Sequence, residues 1–155
     1  IMFLLNSQKI LKEWTDYNQH MNLSYYILVF DNAAEVMLSK FQMGEQAAKN
    51  TNRSTMAVES HTFYKNEVKE GEEVDVFLTY VDHDKKRIHY RLEMYEKVKK
   101  TLSASTEVLS LYMDLGQRKV REFETEKIDI MDDFIYKNKT NFKSEKLIFS
   151  DKLKK

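Results

Sequence analysis

The apolar residues of this chain keep two rhythms. Between Leu23 and Phe41, the residues Leu23, Tyr26, Ile27, Phe30, Ala33, Ala34, Met37, Leu38 and Phe41 recur at steps of three and four. That spacing predicts one broad apolar face of a helix over roughly residues 23 to 43. Asn22 or Ser24 can cap its start, and Gly44 stands where a C-terminal stop is expected.

The middle of the chain changes to period two. "STMAVESHTFYKN" (Ser54 to Asn66) alternates and is rich in β-branched and aromatic residues, as a strand should be. "EEVDVFLTYVD" (Glu72 to Asp82) reads as the next strand, and "HDKK" as a polar hairpin turn that exposes His83. "RIHYRLEMYEKV" then sets Ile88, Tyr90, Leu92 and Met94 on one side and Arg87, His89, Arg91 and Glu93 on the other. "TLSASTEVLSLYMD" (Thr101 to Asp114) is a fourth long strand. The short spacers predict an antiparallel meander of these four. "SQKILKEW" (Ser7 to Trp14) reads as an earlier strand, "GQRKVREF" as a loop, and "TEKIDIMDDFIYKN" as a short helix carrying Ile128, Met131 and Ile135. The lysine-rich end, about residues 138 to 155, reads as an extension solvated by water. The whole is one α+β domain over 1–155, either a curved sheet wrapped around the helix or a helix packed on a flat one.

Composition narrows the function. The 25 basic and 25 acidic residues balance, so the chain carries no overall electrostatic footprint for nucleic acid. Cysteine is absent, which excludes disulfides, thiolate metal sites and cysteine nucleophiles and suits a cytoplasmic protein. No apolar run approaches the roughly 20 residues of a membrane span. The opening "IMFLL" is too short for a signal peptide and has no basic start. The four histidines are scattered, so no metal site is expected.

The chemistry is concentrated in "TDYNQHMN", Thr15 to Asn22. Asp16, Asn18 and His20 stand at alternate positions just ahead of the long helix. A carboxylate can attack a carbonyl or take a proton from water. An imidazole or carboxamide can orient its partner, and a helix start offers unpaired N–H groups to an oxyanion. Hydrolysis of a reactive acyl compound needs these parts. A capped polar turn without chemistry has the same composition.

These residues resemble a known family. "DYNQHMN" followed by "YYILVFDNAAEVML" is similar to the active-site loop and central helix of the hotdog-fold thioesterases. "VESHTFYKNEVKEGEEV", "DHDKKRIHYRLEMY" and "LSASTEVLSLYMD" resemble bacterial thioesterases found alone or fused to carnitine dehydrogenase, several of which act on betainyl-CoA. The resemblance spans roughly residues 8 to 125. It implies a hotdog fold, with a curved antiparallel sheet around a long central helix, and an acyl-CoA thioesterase working as a homodimer or homotetramer. CoA would enter as part of the substrate, with no bound cofactor, membrane or nucleic acid. Asp16 matches the catalytic acid of the 4-hydroxybenzoyl-CoA type, and Asn18 and His20 match the Asn and His of the acyl-ACP type. Glu67, ending "YKNE", resembles a functionally implicated Glu. Gln19 departs from the pattern, since many bacterial relatives have glycine there.

Other residues extend this site. Glu59, mid-strand in "AVESH", either orients His20 from a cleft or lies on the outer sheet face with His61. Arg87 and Arg91 flank His89 on a polar strand face that could bind CoA phosphates or simply be solvated. Trp14, Tyr17, Tyr25 and Tyr26 could pack, or hold a quaternary ammonium by cation–π contact. A non-catalytic acyl-thioester-binding protein and a hotdog dehydratase are the alternative functions.

Overall fold

The computed structural model describes residues 2–142 and 145–155. A curved antiparallel sheet wraps a long helix. Its strands are β1 (Phe3–Lys9), β2 (Arg53–Tyr64), β3 (Glu73–His83), β4 (Arg87–Glu96), β5 (Leu102–Asp114) and the short β6 (Lys119–Val120). The helices are α1 (Leu23–Lys40), α2 (Glu45–Thr51) and α3 (Thr125–Asn138). The strand order is β1-β3-β4-β5-β2, with β6 paired to the end of β5.

The expected helix is α1. Asn22 caps it, its side-chain oxygen accepting the Ser24 N–H at 3.1 Å. Tyr26, Val29, Phe30, Ala33, Ala34 and Met37 are its buried face. Across the concave side of the sheet they meet Val76, Leu78, Tyr90, Leu92, Met94 and Ala104, in registered pairs such as Leu78–Leu92 and Tyr80–Tyr90. Burying each large apolar side chain contributes about 1.5–3 kcal/mol.

Five expectations need correction. The first strand is Phe3–Lys9, earlier than Ser7 to Trp14, because it zips onto β3 from Leu78 to Glu73 and then ends in a 3-10 turn at Lys12–Trp14. The four later strands are not one meander: β3, β4 and β5 are consecutive neighbours, but β2 pairs with the far side of β5. Residues 65–72 therefore cross the end of the sheet. Gly44 does not stop α1. The helix ends at Lys40, with Phe41 as its C-cap and Gln42 in the left-handed region, and Gly44 precedes the unforeseen α2. A Cβ on Gly44 would lie 2.5 Å from Glu35 Oε1 and 2.6 Å from Ser39 Oγ, so close approach to α1 is what its lack of a side chain permits.

The other two corrections concern the chain's end. His83 is only 3% exposed: its ring bonds Tyr80 Oη at 3.1 Å and Asp132 Oδ1 at 2.7 Å, because α3 packs beside the hairpin. Residues 145–155 are docked as well. Glu107 accepts the N–H groups of Ile148 (3.0 Å) and Phe149 (2.7 Å), and Asp84 accepts that of Lys154 (2.8 Å). The lysine side chains there stay exposed while the backbone is held.

Glu124, just ahead of α3, ties three elements together. Its carboxylate accepts from Arg53 at the start of β2 and from Tyr112 Oη of β5 at 2.8 Å. Burial opposes its ionisation, but its own backbone N–H, Arg53 and Tyr112 outweigh burial and hold its pKa down at about 2. A depressed carboxyl pKa stabilises the fold above the unfolded value and loses that contribution as pH falls through the folded one. Glu124→Gln should therefore lower stability by about 2 kcal/mol at neutral pH. Denaturant titrations should show wild type and variant converging as the pH is lowered from the ordinary carboxyl range toward 2.

Candidate active site

The octet folds into a tight loop between the 3-10 turn and α1. Asn22 N–H donates to the Trp14 carbonyl at 2.8 Å, Asp16 N–H to the His20 carbonyl at 3.1 Å, and Gln19 N–H to the Asp16 carbonyl at 2.9 Å. One Asp16 carboxylate oxygen accepts the Asn18 N–H at 2.8 Å. This short local bond is the Asx turn that Asp favours. It fixes the half-buried carboxylate in the loop that leads into α1.

Gln19 is the turn's strained position, with φ at 65°. A left-handed residue with a Cβ costs about 1–2 kcal/mol, which glycine avoids.

The crossing segment closes the loop from the other side. Met21 N–H donates to the Val68 carbonyl at 2.8 Å, Glu70 N–H to the Gln19 carbonyl at 3.3 Å, and His20 bridges to Lys69. Met21 and Val68 are both buried beneath this contact. The crossing also carries Glu67 to His20, where Nε2 and Oε2 are 3.2 Å apart.

The structure brings Asp16, Asn18, Gln19, His20 and Glu67 together and leaves the other candidates elsewhere. Asn18 reaches Asp16 through its backbone N–H, and its side chain is in an exposed position. Glu59 is not the partner of His20. It is exposed on β2, with Lys152 Nζ at 3.8 Å, so the outer-face reading holds. Arg87 pairs with Asp84 at 3.0 Å. Arg91 pairs with Glu145 on the face opposite Tyr90 and Leu92, under residues 145–155. His89 beside it is fully buried and bonds Glu107 at 2.6 Å. That face is neither solvated nor a free basic surface. Of the four aromatic residues, Trp14 and Tyr25 stack on each other, Tyr26 packs edge-on to Tyr64, and Tyr17 is 93% exposed.

Sequence reasoning missed one feature beside the loop. A cavity of about 110 Å³ lies between α1 and the β4-β5-β2 side of the sheet, with Ile27, Phe30 and Asp31 on its helical wall. Asp31 falls on the polar side of the helical repeat, and the repeat alone did not mark it.

The thioesterase-like superfamily model matches residues 10–137, which include the whole loop, α1 and the sheet from β2 to β6. The chain belongs to that superfamily. The Pseudomonas aeruginosa betainyl-CoA thioesterase is 31% identical over 117 residues, covering 76% of this chain and 74% of the relative. The Rhizobium meliloti L-carnitine dehydrogenase/betainyl-CoA thioesterase is 26% identical over 68% of this chain, and the match covers 21% of that longer protein. A Staphylococcus aureus protein solved in complex with CoA superposes with a TM-score of 0.80 at 22% identity, over 95% of this chain and 90% of the other. The 1,4-dihydroxy-2-naphthoyl-CoA thioesterase of Synechocystis superposes with a TM-score of 0.74 at 16% identity, over 86% and 97%. The fold is the hotdog fold, and the chain is an acyl-CoA thioesterase, a thioester hydrolase.

In this thioesterase, Gln19→Gly should preserve the loop and raise stability by about 1 kcal/mol, whereas Gln19→Val should lower it by a similar amount. Denaturation midpoints of the three proteins read the difference directly.

Proposed function

We propose that Asp16 carries the hydrolysis of a short acyl-CoA, with betainyl-CoA as the first substrate to examine. The observation behind this is the Asp16 carboxylate itself, with one oxygen fixed by the Asn18 N–H in the loop ahead of α1. Its other oxygen has no partner among the described residues. The carboxylate either attacks the thioester carbon, giving an acyl anhydride that water then opens, or takes a proton from the attacking water. Both routes consume one water and release a carboxylic acid and the CoA thiol.

The developing oxyanion needs a donor. Within the first turn, Asn22 already engages the Ser24 and Tyr25 N–H groups. Leu23, the first helical residue, has no acceptor four residues earlier within the helix, so its N–H is the donor to assign. The positive end of the helix adds to it. His20, oriented by Glu67, positions the water or the thioester carbonyl. The betainyl assignment draws on the Pseudomonas aeruginosa relative.

The reading includes a homodimer. Strand β2 is twelve residues long and pairs only on its β5 side among the described residues. Met56, Val58, Phe63 and Tyr64 on it are 42–48% exposed, and Leu23 and Ile27 of α1 are exposed nearby. A long apolar edge left open invites pairing with another chain. A second copy would satisfy that edge and wall the cavity, whose Ala57 and Ser60 come from β2.

Asp16→Asn should reduce thiol release at least a thousandfold with an unchanged circular dichroism spectrum. Near-wild-type turnover would refute the role. Glu67→Gln should lower kcat about tenfold, while Glu59→Gln should leave it unchanged; equal losses would refute the assignment of Glu67. In a single turnover in 18O-water, label in Asp16 would establish the anhydride route, with water opening the anhydride at the Asp16 carbonyl. Activity on medium-chain acyl-CoA with none on betainyl-CoA would exclude the betainyl reading.

The dimer is tested separately. A Met56→Glu, Val58→Glu double variant should sediment as a monomer and lose turnover; an unchanged assembly would overturn the β2 interface.

A further inference from the structure

The cavity beside α1 has an unusual wall. Most of it is apolar or aromatic: Phe30 and Ala34 from the helix, Leu92 and Val108 from the sheet. Asp31 is the one acid in it. No Lys, Arg or His forms an ion pair with Asp31 among the described residues. The hydroxyl of Tyr90, also in the wall, has its pKa raised, first by burial and further by the charge of Asp31, against a hydrogen bond with Ser110 that lowers it. The carboxylate is therefore close enough to act on this buried ring. Asp31 is exposed at the solvent side of the cavity, where water solvates its charge until a ligand enters.

Size limits what could enter. An engineered apolar cavity of about 150 Å³ holds one benzene. At about 110 Å³ this cavity accommodates a compact group such as a trialkylammonium head. Aromatic faces with a carboxylate favour such a cation. Ile27 and Asp31 stand one and two helical turns beyond Leu23, about 6 and 12 Å along the axis. The cavity thus begins where an acyl group held at the loop would extend.

We propose that Asp31 is a specificity residue, the counter-ion that selects a short acyl group ending in a quaternary ammonium, with Phe30 and Tyr90 as its aromatic walls. This deepens the thioesterase reading and rests on it for the location of the thioester.

Binding separates the two. Non-hydrolysable thioether analogues of two cationic acyl-CoAs, betainyl and the longer 4-(trimethylammonio)butanoyl, are titrated calorimetrically beside their neutral tert-butyl isosteres. The proteins are wild type, Asp31→Asn, Asp31→Glu and Asp31→Lys, with thiol release followed on the matching thioesters. Wild type should bind at least one cationic analogue about tenfold more tightly than its isostere. Asp31→Asn should abolish that preference, Asp31→Glu should keep most of it, and Asp31→Lys should reverse it. A preference that survives in Asp31→Asn, or that wild type lacks for both arm lengths, overturns the proposal. Charge-selective binding without thiol release would instead refute the catalytic reading while leaving Asp31 as the selector.

Discussion

The site depends on one seam, where the segment crossing from β2 to β3 is bound to the loop ahead of α1. The Met21 N–H to Val68 carbonyl bond at 2.8 Å is its centre, and both side chains are buried beneath it. Inside the protein such a bond is shielded from competing water. Because β2 lies at one side of the sheet and β3 near the other, residues 65–72 must pass this end of the fold. The passage sets the depth of the loop, the start of α1 and the position of Glu67 together. Without it, the Asp16 turn would be a flexible surface loop, and His20 would have no carboxylate to hold its ring.

The polar face of the sheet obeys a second constraint. Alternation put His89, Arg91 and Glu93 on one side of β4, and the structure keeps them there. What the alternation could not show is that residues 145–155 return across this side. Arg91 sits opposite Glu107 on β5, and Glu107 accepts from His89 and from two backbone N–H groups of the returning segment. A carboxylate with three donors tolerates burial that an unpaired one would not. The arginines that suggested a phosphate-binding face are engaged within the chain: Arg91 pairs with Glu145, and Arg87 with Asp84, which also accepts the Lys154 N–H.

Local patterns were legible to the extent that the structure uses them locally. The run from Leu23 became α1, Asn22 became its cap, and the boundaries of α3 followed "TEKIDIMDDFIYKN". Position 19 did not announce its left-handed turn, because glutamine seldom adopts one. Partners distant in sequence were not legible. The side of β5 on which β2 lies, the burial of His83 against Asp132, and the contact of Gly44 with Glu35 each depend on a packing that no window of residues contains. Family resemblance singles out Glu67 without pointing to its contact with His20, since the sequence offers Glu59 as the residue that could orient that ring.

The same division runs through the site's chemistry. Most groups assigned to bond cleavage, Asp16, His20 and the Leu23 N–H, lie within eight residues, because an Asx turn and a helix start are short-range devices; Glu67 alone arrives from the crossing segment. The groups around the acyl cavity come from α1, β2, β4 and β5, which meet only when the sheet has closed over the helix. Substrate selection is therefore the property most exposed to small changes of packing. A shift of α1 against the β4-β5-β2 side would alter the cavity while leaving the Asp16 turn intact, since the turn is fastened to the crossing segment instead. Chains of this fold can then keep one hydrolytic loop and vary the acyl group they accept through side chains such as Asp31, whose place on the outer side of a helical repeat gives the core no stake in its identity.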